Sequence, residues 1–224
     1  MAKHLDLEEQ EQLDQIKHFW ARYGNLITWV LIVVFGSVAA WNGWNYWQRN
    51  QATKAAALYD EVERAALARD GERLSRTLAD MQAGFGRTAF ASQAALLSAQ
   101  SLQDVGKSEE ARAALTWVSE KGSDDGYKTV ARLRLAALHL DAGAHEQALA
   151  LLATAVPAAF EGLVADRRGD ILMAQGKVDE ARTQYQRAWS SLGERAEYRR
   201  LVEVKLAALG VDASELQGAG SASR

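Results

Sequence analysis

Four histidines, His4, His18, His139 and His145, are the side chains best suited to acid–base or metal chemistry in this chain. Their spacing matches no metal-ligand motif, and the first two are separated from the others by a long uncharged stretch. His139 falls among Leu135, Ala136 and Leu138 on a helical pattern, where an imidazole reads as a structural group. The acid pairs Glu109-Glu110 and Asp124-Asp125 lie in loops or where helices are expected to start, and the helix dipole accounts for carboxylates there. The sequence contains no glycine-rich phosphate loop, nucleophile elbow or zinc signature. It has no cysteine, which excludes disulfides and thiolate ligands. The expectation is therefore a protein that binds rather than reacts, with no catalytic residue, metal or cofactor.

Composition narrows the kind of binding. The chain of 224 residues is 48% hydrophobic and 25% charged, with a net charge of −3. From Asn50 onward there are 22 Lys and Arg against 24 Asp and Glu, with the signs interleaved. That leaves no basic footprint for nucleic acid. The hydrophobicity is unevenly spread, since four of the seven tryptophans fall between Tyr23 and Gln48.

Between Arg22 and Arg49 the only ionisable side chains are Tyr23 and Tyr46. The most apolar part, Leu26 to Trp44, would make a helix about 28 Å long, close to the thickness of a bilayer's hydrocarbon core. Trp20 and Tyr23 stand at one end, and Trp41, Trp44, Tyr46 and Trp47 at the other, as aromatic rings do at headgroup depth. A soluble helix would need a polar face, which this stretch lacks. A cleaved signal is the competing reading, because Ser37-Val38-Ala39 has small residues at peptidase spacing. Against cleavage, five acids precede the stretch and the apolar run continues past that site. The reading is a single transmembrane helix over 23–48 in a lipid bilayer. Flanking charges (Lys17 and Arg22 against Arg49 and Lys54) leave its orientation open. Gly36, Ala40 and Gly43 form a stripe of small residues, a candidate for close packing with another transmembrane helix. Residues 1–22 read as an amphipathic segment, with Leu13, Ile16 and Trp20 on one face and a turn into the membrane at Gly24.

Beyond the anchor, three stretches align without gaps: "VGKSEEARAAL" from Val105, "AGAHEQALALL" from Ala142 and "QGKVDEARTQY" from Gln175. Gly106, Gly143 and Gly176 are each followed five residues later by Ala111, Ala148 and Ala181. The glycines are 37 and 33 residues apart, bracketing the 34 of a tetratricopeptide repeat. A pair of antiparallel helices explains the pattern: glycine suits the tight turn, and alanine suits the point where the second helix crosses the first. Ala99, Ala136 and Gly169 supply a matching small residue seven positions before each turn. The extra residues of the longer interval are expected in the loop from Glu120 to Gly126. Gln51–Arg69 and "GERLSRTLADMQAG" read as an earlier helix pair. Gly71 stands 35 residues before Gly106, but Arg76 occupies the alanine position, so a fourth repeat is left open. "ERAEYRRLVEVKLAALG" reads as a capping helix ending at Gly210, and 212–224 as a disordered tail.

The expected fold class is all-α: one transmembrane helix, then a tetratricopeptide-like α-solenoid over 49–211 closed by a C-terminal capping helix. Such solenoids present a concave surface lined by the first helix of each repeat. The register nominates Leu96, Gln100 and Gln103, then Leu133, Ala137 and Leu140, then Asp166, Asp170 and Met173. Together they would form a groove of mixed apolar and acidic character, suited to an amphipathic helix or an extended peptide with basic residues.

The acidic amphipathic start, "IKHFWARYG", the anchor ending in "WNYWQ", "LRLAALHLDAGAHEQALALL" and above all "VADRRGDILMAQGKVDEAR" (Val164 to Arg182) resemble the YfgM family. The resemblance covers the whole chain except the tail. It implies an ancillary subunit of the SecYEG translocon in the bacterial inner membrane, with a cytoplasmic amino end and a periplasmic repeat domain. It also implies association with a PpiD-like membrane chaperone and a part in handling newly exported, unfolded proteins. The resemblance brings no catalytic residues. A different class of function is a regulatory adaptor that controls the stability of a signalling protein through the N-terminal segment or the repeat domain.

Overall fold

The structure, a computed structural model, describes residues 7–193 and 197–212. His4 and the expected tail beyond Asp212 lie outside the described residues. The described residues form nine α-helices and one 3-10 turn, with no strand among them. The chain divides inside its first helix, α1 (Leu7–Leu67), into two compact units, Met1–Gln51 and Ala52–Arg224.

In the first unit Gly24 is inside α1, and the expected turn is absent. The Trp20 ring lies over Gly24 one helical turn earlier, and a Cβ there would stand 3.4 Å from it. The backbone ladder therefore continues where a surface-to-membrane turn was expected. Thr28 Oγ1 donates to the Gly24 carbonyl at 2.8 Å, and Ser37 Oγ to the Val33 carbonyl at 2.7 Å. Both hydroxyls are thus satisfied inside the helix, a condition that hydrocarbon imposes on polar groups. Trp29, Val30, Ile32, Val33, Phe35 and Trp41 are exposed around the helix. Among the described residues α1 is the one helix long and apolar enough to cross a membrane, by length and composition.

The second unit begins with the end of α1 and continues through α2 (Gly71–Phe85), α3 (Ala89–Asp104), α4 (Ser108–Lys121), α5 (Asp125–Asp141) and α6 (His145–Leu151). The 3-10 turn Ala158–Phe160 leads into α7 (Glu161–Ala174), followed by α8 (Val178–Ser191) and α9 (Glu197–Ala208). Helices pack as the pairs α3–α4, α5–α6 and α7–α8, and α5 also touches α3 and α7. Asp70, Thr88 and Asp124 cap α2, α3 and α5 by accepting from backbone N–H groups.

All three repeat glycines adopt positive φ, +80° at Gly106, +72° at Gly143 and +75° at Gly176. Around each, the following N–H reaches back five residues in a Schellman turn, as from Lys107 to the Leu102 carbonyl at 2.8 Å. The same turn recurs at Arg69 (φ 53°) and Gly210 (φ 74°). Arg69, not Gly71, therefore closes the α1–α2 pair. Counted from Arg69, Val62 and Leu74 take the places of Ala99 and Ala111, and both are buried. An arginine in the turn and large residues at the crossing explain why the glycine–alanine pattern does not register this pair.

Ala111, Ala148 and Ala181 are fully buried, as are Ala136 and Ala188, so the helices approach closely along small side chains. At Gly169 a Cβ would overlap the Tyr185 ring of the paired helix. The interior forms three clusters: one from the end of α1 through α5, one where α5, α6 and α7 meet, and one shared by α7, α8 and α9. The extra residues of the 37-residue repeat do not enlarge the loop, which is only Gly122–Asp124; they lengthen α5 to 17 residues against 14 for α7. Helix α6 has 7 residues where α4 and α8 have 14. Pro157 follows, with no N–H to offer a helix, and the chain crosses to α7 in an irregular segment.

Candidate functional site

The first helices of successive pairs, α3, α5 and α7, carry the nominated residues, and their fates differ along the row. Between α3 and α5 lies a cleft of about 320 Å³. Ala99, Leu115, Ala137 and Leu138 form its apolar floor, and Gln100, Gln103, Arg134 and Asp141 its polar rim. Gln100, Gln103 and Asp141 are exposed. Arg134 is fixed by donating Nη1 to the Leu96 carbonyl at 2.9 Å, a bond between adjacent repeats. Three nominated residues, Gln100, Gln103 and Ala137, thus come together. Leu96 does not join them: at 9% exposure it belongs to the core cluster, turned inward with Ala95 and Ala99. Leu133 and Leu140 are half-buried against Ala136, Ala148 and Leu152.

At α7 the expected open acidic groove is not found. Asp166 is 1% exposed. Lys205 of α9 places Nζ 2.8 Å from its Oδ1 and 2.9 Å from its Oδ2, and 2.6 Å from Asp170 Oδ1. Tyr198 donates to Asp166 Oδ2 at 2.6 Å, and Tyr185 to Asp170 Oδ1 at 2.9 Å. A buried carboxylate is costly without a cation and donors, and here the terminal helix supplies both. Burial, reinforced by the hydrogen bond to Asp170, pushes the Tyr185 hydroxyl far above its ordinary range. Tyr198 shifts the same way, from burial first and then from Asp166. Arg199 stacks 3.8 Å from the Trp189 ring centroid, and Trp189 Nε1 donates to Glu203 at 3.1 Å, tying α9 to α8 as well. Met173 packs half-buried against the same cluster. Asp166 is therefore an internal residue, and Asp170 is engaged within the chain.

On α1, Gly36, Ala40 and Gly43 are exposed, and a Cβ at either glycine would meet open space. Leu13, Ile16 and Trp20 are exposed too. Among the described residues no cluster of His, Cys, Asp or Glu is arranged to hold a metal ion. Arg134 and Asp141 are cleft residues that the repeat register does not mark, although they lie three before and four after Ala137 and so share its helix face. Lys205 had no comparable signal, because its partners lie 35 and 39 residues earlier in the chain.

Comparison with known proteins accords with this architecture. A family model described as a tetratricopeptide repeat-like domain matches residues 17–211. The chain is 30% identical over 213 residues to the ancillary SecYEG translocon subunit of Neisseria gonorrhoeae, covering 93% of this chain and 100% of that protein. It is 28% identical over 178 residues to the Escherichia coli protein of the same name, covering 80% and 85%. The Aggregatibacter actinomycetemcomitans protein of that name is 28% identical over 202 residues, covering 89% and 97%. No solved structure matches the chain. An apolar first helix joined to a tetratricopeptide-like domain, matched along nearly its whole length by proteins of one kind, makes this chain a member of the YfgM family of ancillary translocon subunits.

Proposed function

We propose that this protein is a non-catalytic, single-pass accessory subunit of the SecYEG translocon in the bacterial inner membrane. Its N-terminus is cytoplasmic, and its repeat domain faces the periplasm. There the α3–α5 cleft engages a PpiD-like chaperone or newly exported, unfolded segments. The observation that carries this reading is the pair of exposed amides, Gln100 and Gln103, above an apolar floor. A glutamine amide both donates and accepts, so it matches the alternating N–H and C=O groups of an extended backbone without selecting a sequence. Asp141 and Arg134 add one charge of each sign. Tethering keeps the local concentration high, so weak contacts suffice. Within the bilayer, Gly36, Ala40 and Gly43 give a translocon helix a face for close approach.

Site-specific photocrosslinking from Gln103 in intact cells tests the cleft. Adducts with the chaperone or with exported chains are expected. Their absence, with translocon components still co-purifying, would exclude this face while leaving membrane docking intact. Loss of every translocon component from a gentle purification would overturn the accessory role itself. The exposed Leu13, Ile16 and Trp20 face favours a second reading, a regulatory adaptor acting through residues 1–22. Deleting those residues separates the two, because only the adaptor reading loses regulation while translocon binding persists.

A further inference from the structure

Because α6 stops after 7 residues, a cleft of about 290 Å³ opens beside it. Ala153, Ala155, Val156, Val164 and Ala165 give it apolar walls, and Arg168 of α7 and Arg187 of α8 both line it. The neighbouring arginines are paired: Arg167 with Asp170 at 3.8 Å and Arg182 with Asp179 at 2.9 Å. Arg168 and Arg187 have no carboxylate partner among the described residues, although Glu161 lies at the same cleft. Arg168 donates one Nη2 bond to the Leu152 carbonyl at the end of α6, which holds the guanidinium in place. Burial, with the charge of Arg187 adding to it, disfavours its protonated form. Two like charges brought together beside an apolar wall are a destabilising arrangement until an anion joins them.

Three further N–H groups, those of Thr154, Ala155 and Val156, donate to no described group. We propose that this cleft binds the C-terminal carboxylate of a polypeptide, with its last side chain apolar and seated against Val156 and Val164. Arginine forks and free backbone N–H groups are the donors that hold a carboxylate. The apolar walls argue for an anion attached to a hydrophobic group, which inorganic phosphate is not. Glu161 opposes a more highly charged ligand. The volume, near the lower end for ligand pockets (~300 Å³), suits a terminal residue better than an internal segment. The site shares no residue with the α3–α5 cleft, so it stands or falls separately from the function proposed above.

The test uses the full-length protein in nanodiscs of uncharged lipid and a fluorescein-labelled Gly-Ser-Ala-Val-Leu peptide, made as the free acid and as the C-terminal amide. Anisotropy should show the acid binding about tenfold more tightly than the amide, consistent with loss of a charge-assisted contact. R187Q should bring the acid down to the level of the amide, with an unchanged melting curve. In the wild-type protein, which needs no variant to fold, acetyl-leucine should displace the peptide and acetyl-leucine amide should not. Equal binding of acid and amide would overturn the proposal. Displacement by inorganic phosphate as effective as by acetyl-leucine would reduce the site to an unspecific anion site and overturn it too. An amidated peptide with an internal glutamate binding as tightly as the free acid would overturn the assignment to a chain terminus.

Discussion

The two ends of one helical row meet opposite conditions. On α3 and α5, the polar groups above the floor face solvent, and Gln100 and Gln103 remain free for a partner. On α7, Asp166 and Asp170 are met by Tyr185, Tyr198 and Lys205, so their hydrogen-bonding capacity is spent inside the molecule. The backbone scaffold is the same in both places, a glycine-turned helix pair with a buried alanine. What differs is the neighbour: α3 is followed by another repeat that leaves a gap, α7 by a helix that fills it. In a repeat protein, then, position in the register sets which way a side chain points, while the next helix decides whether it is available.

Substitutions can break this contrast. The largest effect is expected from Lys205→Met, which strips the cation from a buried carboxylate and should cost about 3 kcal/mol or more. Hydrogen exchange on the full chain should accelerate in α7, α8 and α9 and stay unchanged in α3. Adding Asp166→Asn should restore much of the loss, since the stranded charge is then gone. If Lys205→Met alone leaves exchange unaltered, the cluster does not hold the terminal helix. Gly169→Ala comes next, at roughly 2 kcal/mol, because the added methyl overlaps the Tyr185 ring and displaces its hydroxyl from Asp170. A thermal melt followed by circular dichroism would measure it.

A smaller contrast should appear at high pH. Tyr185 and Tyr198 stay protonated in the folded protein at pH values where the unfolded chain, with tyrosines near pH 10, has lost those protons. The unfolded state then binds fewer protons, so stability falls as pH rises above about 10 and is unaffected below it. Exchange in α7–α9 should accelerate on that limb before exchange in α3, and Tyr185→Phe with Tyr198→Phe should flatten the difference. Smallest of all is the effect of Gln100→Ala with Gln103→Ala. Stability should change by no more than about 0.5 kcal/mol, because exposed amides without internal partners hold nothing together. Photocrosslinks from a neighbouring cleft position, Asp141, should nevertheless be lost.

Much of this was legible before any coordinates. Glycine at a positive-φ turn and alanine at a helix crossing are demands of local geometry, and local demands leave a periodic trace. Gly106, Gly143, Gly176 and their alanines accordingly marked three pairs in register. The α1–α2 pair escaped because Arg69 accepts the same turn at some steric cost, and Leu74 fills the crossing that alanine fills elsewhere. Gly24 misled in the opposite way: a glycine permits a turn but does not require one, and Trp20 covers it within a straight helix. The candidate site was half legible. Helix register found Gln100, Gln103 and Ala137, yet it could not see that Leu96 turns inward or that Asp166 is covered by a residue 39 positions later. Contacts of that range leave no periodicity to read.

The clasp on Asp166 also orders events in time. A chain emerging amino end first completes the α3–α4 and α5–α6 pairs from residues already present. The α7–α8 pair is different, because its interior carries a charge whose counterion is Lys205, close to the end of the described chain. Until α9 has emerged, Asp166 lacks its counterion, and the face it shares with Ala165, Leu172 and Trp189 lacks the cover of Val202 and Leu206. The last repeat of a nascent chain therefore matures late, and a product truncated before α9 exposes its incompleteness to the cell's proteases.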